Sequence, residues 1–212
     1  IFFVGSTLGV NMVWHEAFGQ AYNPLTSEEE ENIISLKVNS QRMWQHINPI
    51  LSDIQALPEC IETLTMTDDL QSGNHFMRTY KKADQSEVMI DIAMGAPSYF
   101  KFLKIPLQGK EVNGDAEGTV YVSEAFRQQL DKDNVQDRVE IEGQSYRIIG
   151  IFKELYKETQ GRATIGSVFF PSNHFRYFYV KLAPSTNAAK SIRRITDICR
   201  NYVPTTLPLE IR

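Results

Sequence analysis

Cysteine is scarce. The 212-residue chain holds two, Cys60 and Cys199, far apart and without a CxxC or Cys/His spacing, which argues against a zinc site. Both read as buried free thiols; in an oxidising compartment a disulfide between them stays open. Histidine is also sparse. His15, His46, His75 and His174 are scattered, with no HExxH or HxxxH pattern to hold a metal or serve as a base. There is no GxSxG, no P-loop and no GxGxxG, so the common nucleophile and nucleotide fingerprints are absent. Positive charge is in deficit: 22 Lys and Arg against 26 Asp and Glu leave a net charge of −4. Phosphate backbones need a clustered positive field, so a nucleic-acid partner is not expected. The pairs Lys81-Lys82 and Arg193-Arg194 read as solvated faces. No long apolar run exists either. IFFVGSTLGVNMVW is apolar for about fourteen residues, short of the roughly 20 a spanning helix needs. It fits a first strand or helix of the fold, and equally the outer end of a membrane helix.

What is present is a normal globular mix, 42% hydrophobic and 23% charged, able to bury a core. After Trp14 the chain turns polar, with a turn at Asn23-Pro24. Ser27 and Glu30 have the spacing of a capping box, but Ile34, Leu36 and Val38 alternate with polar residues. The reading adopted is a strand over Asn32–Val38 after a solvated acidic run. Met43, Ile47, Ile50, Leu51, Ile54 and Leu57 share a helical face, interrupted by Pro49, so a helix starts at Pro49 or is kinked there. Strands are expected over Cys60–Thr67, His75–Tyr80 and Glu87–Met94, the last two around the polar turn KKADQS. Gly95-Ala96-Pro97 breaks the strand, and Ser98 is placed to cap a short aromatic turn carrying Tyr99, Phe100, Phe102 and Leu103. LQGKEVNGDAEG reads as loop. Thr119–Val122 is a short strand, and Ser123 is a plausible N-cap for a helix with Ala125, Phe126 and Leu130. Val139–Ile141 and Tyr146–Phe152 form a hairpin across Glu142-Gly143. KELYKETQGRATIG reads as an exposed loop. Aromatic and β-branched strands follow at Ser167–Phe170 and Phe175–Leu182. The end is a helix over Asn187–Val203 and a last strand over Leu207–Ile211.

The ends are thus strand–helix–strand, and the middle is mostly strand. This predicts an α+β fold: a split α/β unit built from both chain ends, with a β-rich module inserted between them. The expected units are residues 1–31 as a membrane-proximal segment and connector, 32–87 with 174–212 as the α/β unit, and 88–173 as the insert. Asp68-Asp69 and Glu28–Glu31 lack the glycine and spacing of a calcium loop. No catalytic, cofactor-binding or metal-binding residue is therefore assigned.

One ordered set of motifs resembles a known family. Leu57-Pro58 is followed by Ser98-Tyr99-Phe100, then Ile105-Pro106-Leu107 with Gly109-Lys110. Val120–Val122 leads into Ser123-Glu124-Ala125, and Tyr146–Lys153 comes later. In this order they resemble the extracytoplasmic core domain of FtsX/MacB-type ABC-transporter permeases, over residues 32 to 212. Gly-Lys stands where the family has Gly-Arg, and Ser123 where it has Asn. Both keep the local physics of a turn with a cation and an N-cap. Asn134-Val135-Gln136-Asp137 departs from the family's Pro-hydrophobic-Gly-Lys turn.

The resemblance implies a porter-like α/β unit with a sabre-like insert, on the periplasmic face of the cell (inner) membrane. It implies a non-catalytic domain without cofactors that couples ATPase-driven movement of membrane helices to an outside partner or substrate. Efflux, lipoprotein release and activation of a cell-wall hydrolase are the outputs it would serve. The implied partners are a cytoplasmic ABC ATPase subunit, an extracytoplasmic adaptor or substrate protein, and a second permease in a homodimer or pair. Under it the N-terminal apolar stretch leans toward the end of a first membrane helix. The alternative is a free-standing extracytoplasmic ligand-binding module.

Overall fold

The computed structural model describes residues 24–70, 76–110, 112, 116–153, 164–203 and 211. The expectations for residues 1–23, including the apolar stretch and His15, lie outside these. So do His75, Leu207–Glu210 of the expected last strand, and most of the loop after Lys153.

One mixed sheet organises the described chain, but it is assembled from two parts. The first part is antiparallel. β1 (Ile33–Lys37) pairs with β10 (Tyr177–Leu182), which pairs with β2 (Cys60–Met66). Along β10, Phe178, Val180 and Leu182 point to one face, and Tyr177, Tyr179 and Lys181 to the other, as period two requires. The first face is covered by α2 (Gln41–Gln45), α3 (Ile47–Gln55) and α6 (Ala188–Tyr202). Their residues Met43, Ile50, Ile54, Ile195 and Cys199 close a core on Ile34, Leu36 and Phe178. Asn187 caps α6, its side chain accepting the Lys190 N–H at 3.0 Å. Ile211 bridges Leu36, on the open side of β1.

The second part holds β3 (Phe76–Lys81), β4 (Glu87–Gly95), β5 (Leu107–Gly109), β6 (Thr119–Ser123), β7 (Arg138–Ile141), β8 (Gln144–Phe152) and β9 (Ser167–Pro171). The path runs β4-β9-β6-β8-β5, with β3 on β4 and β7 on β8. α5 (Glu124–Lys132) lies on one face, burying Phe126 and Leu130 against Ile90, Val120, Val122 and Val168. Ser123 caps it as expected: its buried hydroxyl accepts from Phe126 N at 3.2 Å and also from Ser167 N at 2.9 Å, tying helix to neighbouring strand.

The two parts meet at a single register pair, Met66 with Gly95. Across it Thr67 N donates to Met94 O at 2.8 Å, and Ala96 N to Thr65 O at 2.8 Å. α4 (Tyr99–Phe102) follows and packs beneath both parts.

Four local expectations differ from the structure. The acidic run forms α1 (Ser27–Glu31), whose capping box uses Thr26 and Glu29, one residue earlier than the spacing considered. The helix around Pro49 starts at Ile47, with Pro49 in its first turn, where a missing N–H has no intrahelical partner to lose. Part of the expected loop at Leu107–Gly109 is strand β5, pairing with Phe152–Gly150. Ser98 precedes α4 but sits in the helical region and makes no side-chain cap.

Candidate functional site: the junction helix

Of the acidic residues considered for a cation, Asp68 and Asp69 are engaged within the fold. Asp68 Oδ2 accepts from Met94 N at 3.1 Å. Asp69 Oδ1 accepts from the Tyr179 hydroxyl at 3.1 Å, and that hydroxyl accepts from Leu70 N at 2.8 Å. Burial, with the nearby Asp69 carboxylate, holds the Tyr179 phenol well above its ordinary range, so it stays protonated. No group of three or more His, Cys, Asp or Glu residues among the described residues could hold a metal ion. His46 ends α2 with its ring 6.2 Å from Tyr202, and His174 follows β9; nothing brings them together. Cys60 and Cys199 are free thiols on the helix-covered side of the first part. Burial pushes Cys199 up to about 11 and raises Cys60 as well, which suppresses the reactive thiolate.

What the fold does build is a junction around α4. The helix has one turn, set by sequence: aromatic residues on its buried side and Lys101 outside. It closes with a Schellman motif. Lys104 N donates to Lys101 O at 3.0 Å, and Ile105 N to Phe100 O at 2.7 Å. Lys104 therefore holds a left-handed backbone, φ 55°. Glycine is the usual residue there, and a non-glycine in that region costs of order 1–3 kcal/mol.

Tyr99 stacks on Phe169, with ring centroids 4.8 Å apart and planes 19° apart. Phe100 meets Tyr121 at 4.8 Å, Phe169 at 5.0 Å and Phe152 at 5.3 Å, all from the second part. Leu64, Met66 and Tyr179 of the first part complete the same cluster. Such aromatic contacts add about 0.5–1.5 kcal/mol each beyond burial.

Three charged contacts bind α4 to the first part and to α1. Lys181 is 5% exposed; its Nζ donates to Phe102 O and to Glu62 Oε2 at 3.2 Å, and lies 4.5 Å from the Phe102 ring centroid. A lysine is almost never buried unless paired, and here carboxylate, carbonyl and ring face share one ammonium. Lys101 Nζ lies 3.8 Å from the other oxygen of Glu62. Lys104 pairs with Glu29 of α1. The Lys104 ammonium, then the Thr26 N–H, hold the Glu29 carboxyl below the usual range. An exposed pair of this kind contributes only about 0–1 kcal/mol.

The expected Tyr99-Phe100 turn is thus the centre of the junction. Lys181, Glu62 and the Glu29–Lys104 pair were not singled out from the sequence. The signal for Lys181 was a lysine inside the apolar run YFYVKL, but its partner lies 119 residues away.

The mixed sheet with helix α4 buried against it is an α+β domain of the kind found in ABC-type transporters. A family model for the MacB-like periplasmic core domain matches residues 6–198, and the chain belongs to that family. Solved structures agree in fold. The periplasmic region of MacB from Actinobacillus actinomycetemcomitans is 12% identical, with TM-score 0.58, covering 87% of this chain and 90% of that one. The extracellular domain of the ABC-type transporter YknZ from Gram-positive bacteria is 12% identical, TM-score 0.57, covering 85% and 100%. A permease domain from Porphyromonas gingivalis is 13% identical, TM-score 0.56, covering 87% and 89%. No curated protein matches the chain. Among the described residues, no helix is long and apolar enough to cross a membrane.

Proposed function

We propose that this domain is the non-catalytic, extracytoplasmic part of a permease subunit at the cell (inner) membrane, and that it couples ATPase-driven movement of membrane helices to an outside partner or substrate. Its partners are a cytoplasmic ABC ATPase subunit, a second permease in a homodimer or pair, and an extracytoplasmic adaptor or substrate protein. The observation that carries this reading is the junction: α4 shares its core with both parts of the sheet, so force applied to one is passed to the other. Interiors packed this closely transmit strain rather than absorb it.

The proposal includes a division into two units. β1, β2 and β10 with α2, α3 and α6 form the porter-like unit, and β4 to β9 with α5 form the sabre-like insert. β3 goes with the insert, since it pairs with β4 from Phe76–Ile92 to Lys81–Glu87. The boundary expected between residues 87 and 88 falls within that hairpin.

The test uses the full-length permease with its ATPase in lipid nanodiscs. A dye is placed at Gln128→Cys on the exposed side of α5, and quenching by nitroxide-bearing lipid headgroups is read. Coupling predicts that quenching differs between nucleotide-free and vanadate-trapped complexes. Identical quenching in the two states sinks the reading.

A further inference from the structure

Lys104 occupies a left-handed position that glycine would fill without strain, and its exposed ion pair is too weak to offset that strain. Its side chain does something else: it joins α1 to α4. α1 is separated from β1 by Asn32 alone. Its capping box fixes the Glu29 carboxylate. Oε2 accepts the Thr26 N–H at 3.1 Å and the Thr26 hydroxyl at 3.3 Å, which leaves Oε1 facing Lys104. Leu25 and Ile33, on either side of α1, pack against the cluster around α4. The stretch from Leu25 to Ile33 thus meets the junction through an apolar contact at each end and a charged one between.

We propose that α1 is a coupling arm, which carries displacement of the chain preceding Pro24 directly to α4. The strand-to-strand route is longer. By strand pairing among the described residues, a displacement entering β1 reaches β2 through β10 and crosses to β4 at the Met66–Gly95 pair, which Asp68 on Met94 N and the Ser172–Arg176 segment support. The arm bypasses these steps and acts on the helix whose core both units share. Four other non-glycine residues have positive φ, and one of them, Glu142, also makes an ion pair, with Arg78 inside the insert. Lys104 differs in linking the segment that enters the domain to the junction. This inference rests on the reading of the domain as part of an ATP-driven permease.

The experiment uses the same full-length complex in nanodiscs, in a Cys60→Ser background. Spin labels at Glu28→Cys and Ser98→Cys report the α1–α4 distance, and the Gln128→Cys dye reports movement of the insert in parallel samples. The arm predicts that vanadate trapping changes Gln128 quenching while the α1–α4 distance holds within about 2 Å, the scale of small element shifts. Lys104→Gly suits the left-handed backbone and keeps the fold. It is expected to broaden the α1–α4 distribution and to cut the nucleotide-dependent quenching change by about half or more, of the order expected when one of several coupling contacts is lost. Lys104→Arg, which keeps a cation facing Glu29 and leaves the α1 capping box untouched, is expected to preserve both. If α1 and α4 separate in the wild type while Gln128 still responds, the arm is overturned and the coupling reading stands. If Lys104→Gly leaves the Gln128 response intact, the arm is likewise overturned. If Gln128 does not respond in any sample, the coupling reading fails and the arm with it.

Discussion

Glu62→Gln should destabilise the domain more than Lys181→Met, although the two residues form one pair. Lys181 has a side chain 7% exposed, whereas that of Glu62 is 22% exposed. Removing the Glu62 charge leaves the ammonium buried, with only the Phe102 carbonyl, the ring face and a neutral amide. Breaking a fully buried pair from one side costs about 3–5 kcal/mol, and partial access of water at Glu62 reduces this to roughly 2–3 kcal/mol. Lys181→Met removes the buried charge itself and keeps most of the aliphatic stem. Glu62 then turns to water and keeps Lys101 at 3.8 Å. The remaining penalty is the Phe102 carbonyl without its donor, about 1–2 kcal/mol. The double variant Lys181→Met with Glu62→Gln should fall near Lys181→Met alone, since the stranded charge is absent in both. Urea unfolding of the domain at neutral pH measures all three, with unchanged m-values confirming the same transition. If Lys181→Met costs as much as Glu62→Gln or more, the ammonium is not a buried charge held by its partner, and the account of how α4 is clamped is refuted.

Gly95→Ala should cost about 1–3 kcal/mol, because a Cβ there would stand 2.7 Å from Thr65 O and would also strike Met66 Sδ, at the one pair joining the two parts of the sheet. Hydrogen exchange at Thr67 N and Ala96 N should rise with it; unchanged protection would mean the junction does not depend on that approach. Asp133 gives a pH signature. Burial alone would raise its carboxyl, but donation from Gln129, from Ala83 N and from the Tyr80 hydroxyl outweighs this and holds it low. A group depressed in the folded state adds stability above its unfolded value, near 3.9, and loses it as pH falls through the folded value. The gap between wild type and Asp133→Asn should therefore be about 1 kcal/mol at neutral pH and shrink below about pH 4. A gap that is constant down to acid unfolding would show that the carboxylate is not the cause.

Most strands were legible because period two is written plainly in them. ISLKV, VMIDIAM and YFYVKL each alternate or run apolar, and the KKADQS and Glu142-Gly143 turns mark their hairpins. Ser123 was legible as a cap because a serine stands at the break between a strand and a helical repeat. Other elements were hidden by locality. β5 is a three-residue strand directly after Pro106, and it is a strand only because β8 lies beside it. α1 was obscured because adjacent Thr26 and Ser27 each have a glutamate three residues on, and only the hydrogen bonds choose between them. Ser98 looked like a cap, but its backbone had already entered the helical region. The junction was the least legible. Its aromatic turn was visible, while Glu29, Glu62 and Lys181 are brought to it by pairings 39 to 119 residues apart, which no local pattern encodes.

The central claim is that the domain passes movement between an ATP-driven membrane part and an outside partner without itself doing chemistry. The most direct test replaces residues 24–211 with a short flexible linker in the full-length permease, co-expressed with its ATPase in cells lacking the native gene. The account predicts that the complex still assembles and hydrolyses ATP in isolated membranes, while the phenotype of the gene deletion is not rescued. Rescue by the linker version, with ATP hydrolysis intact, would contradict it.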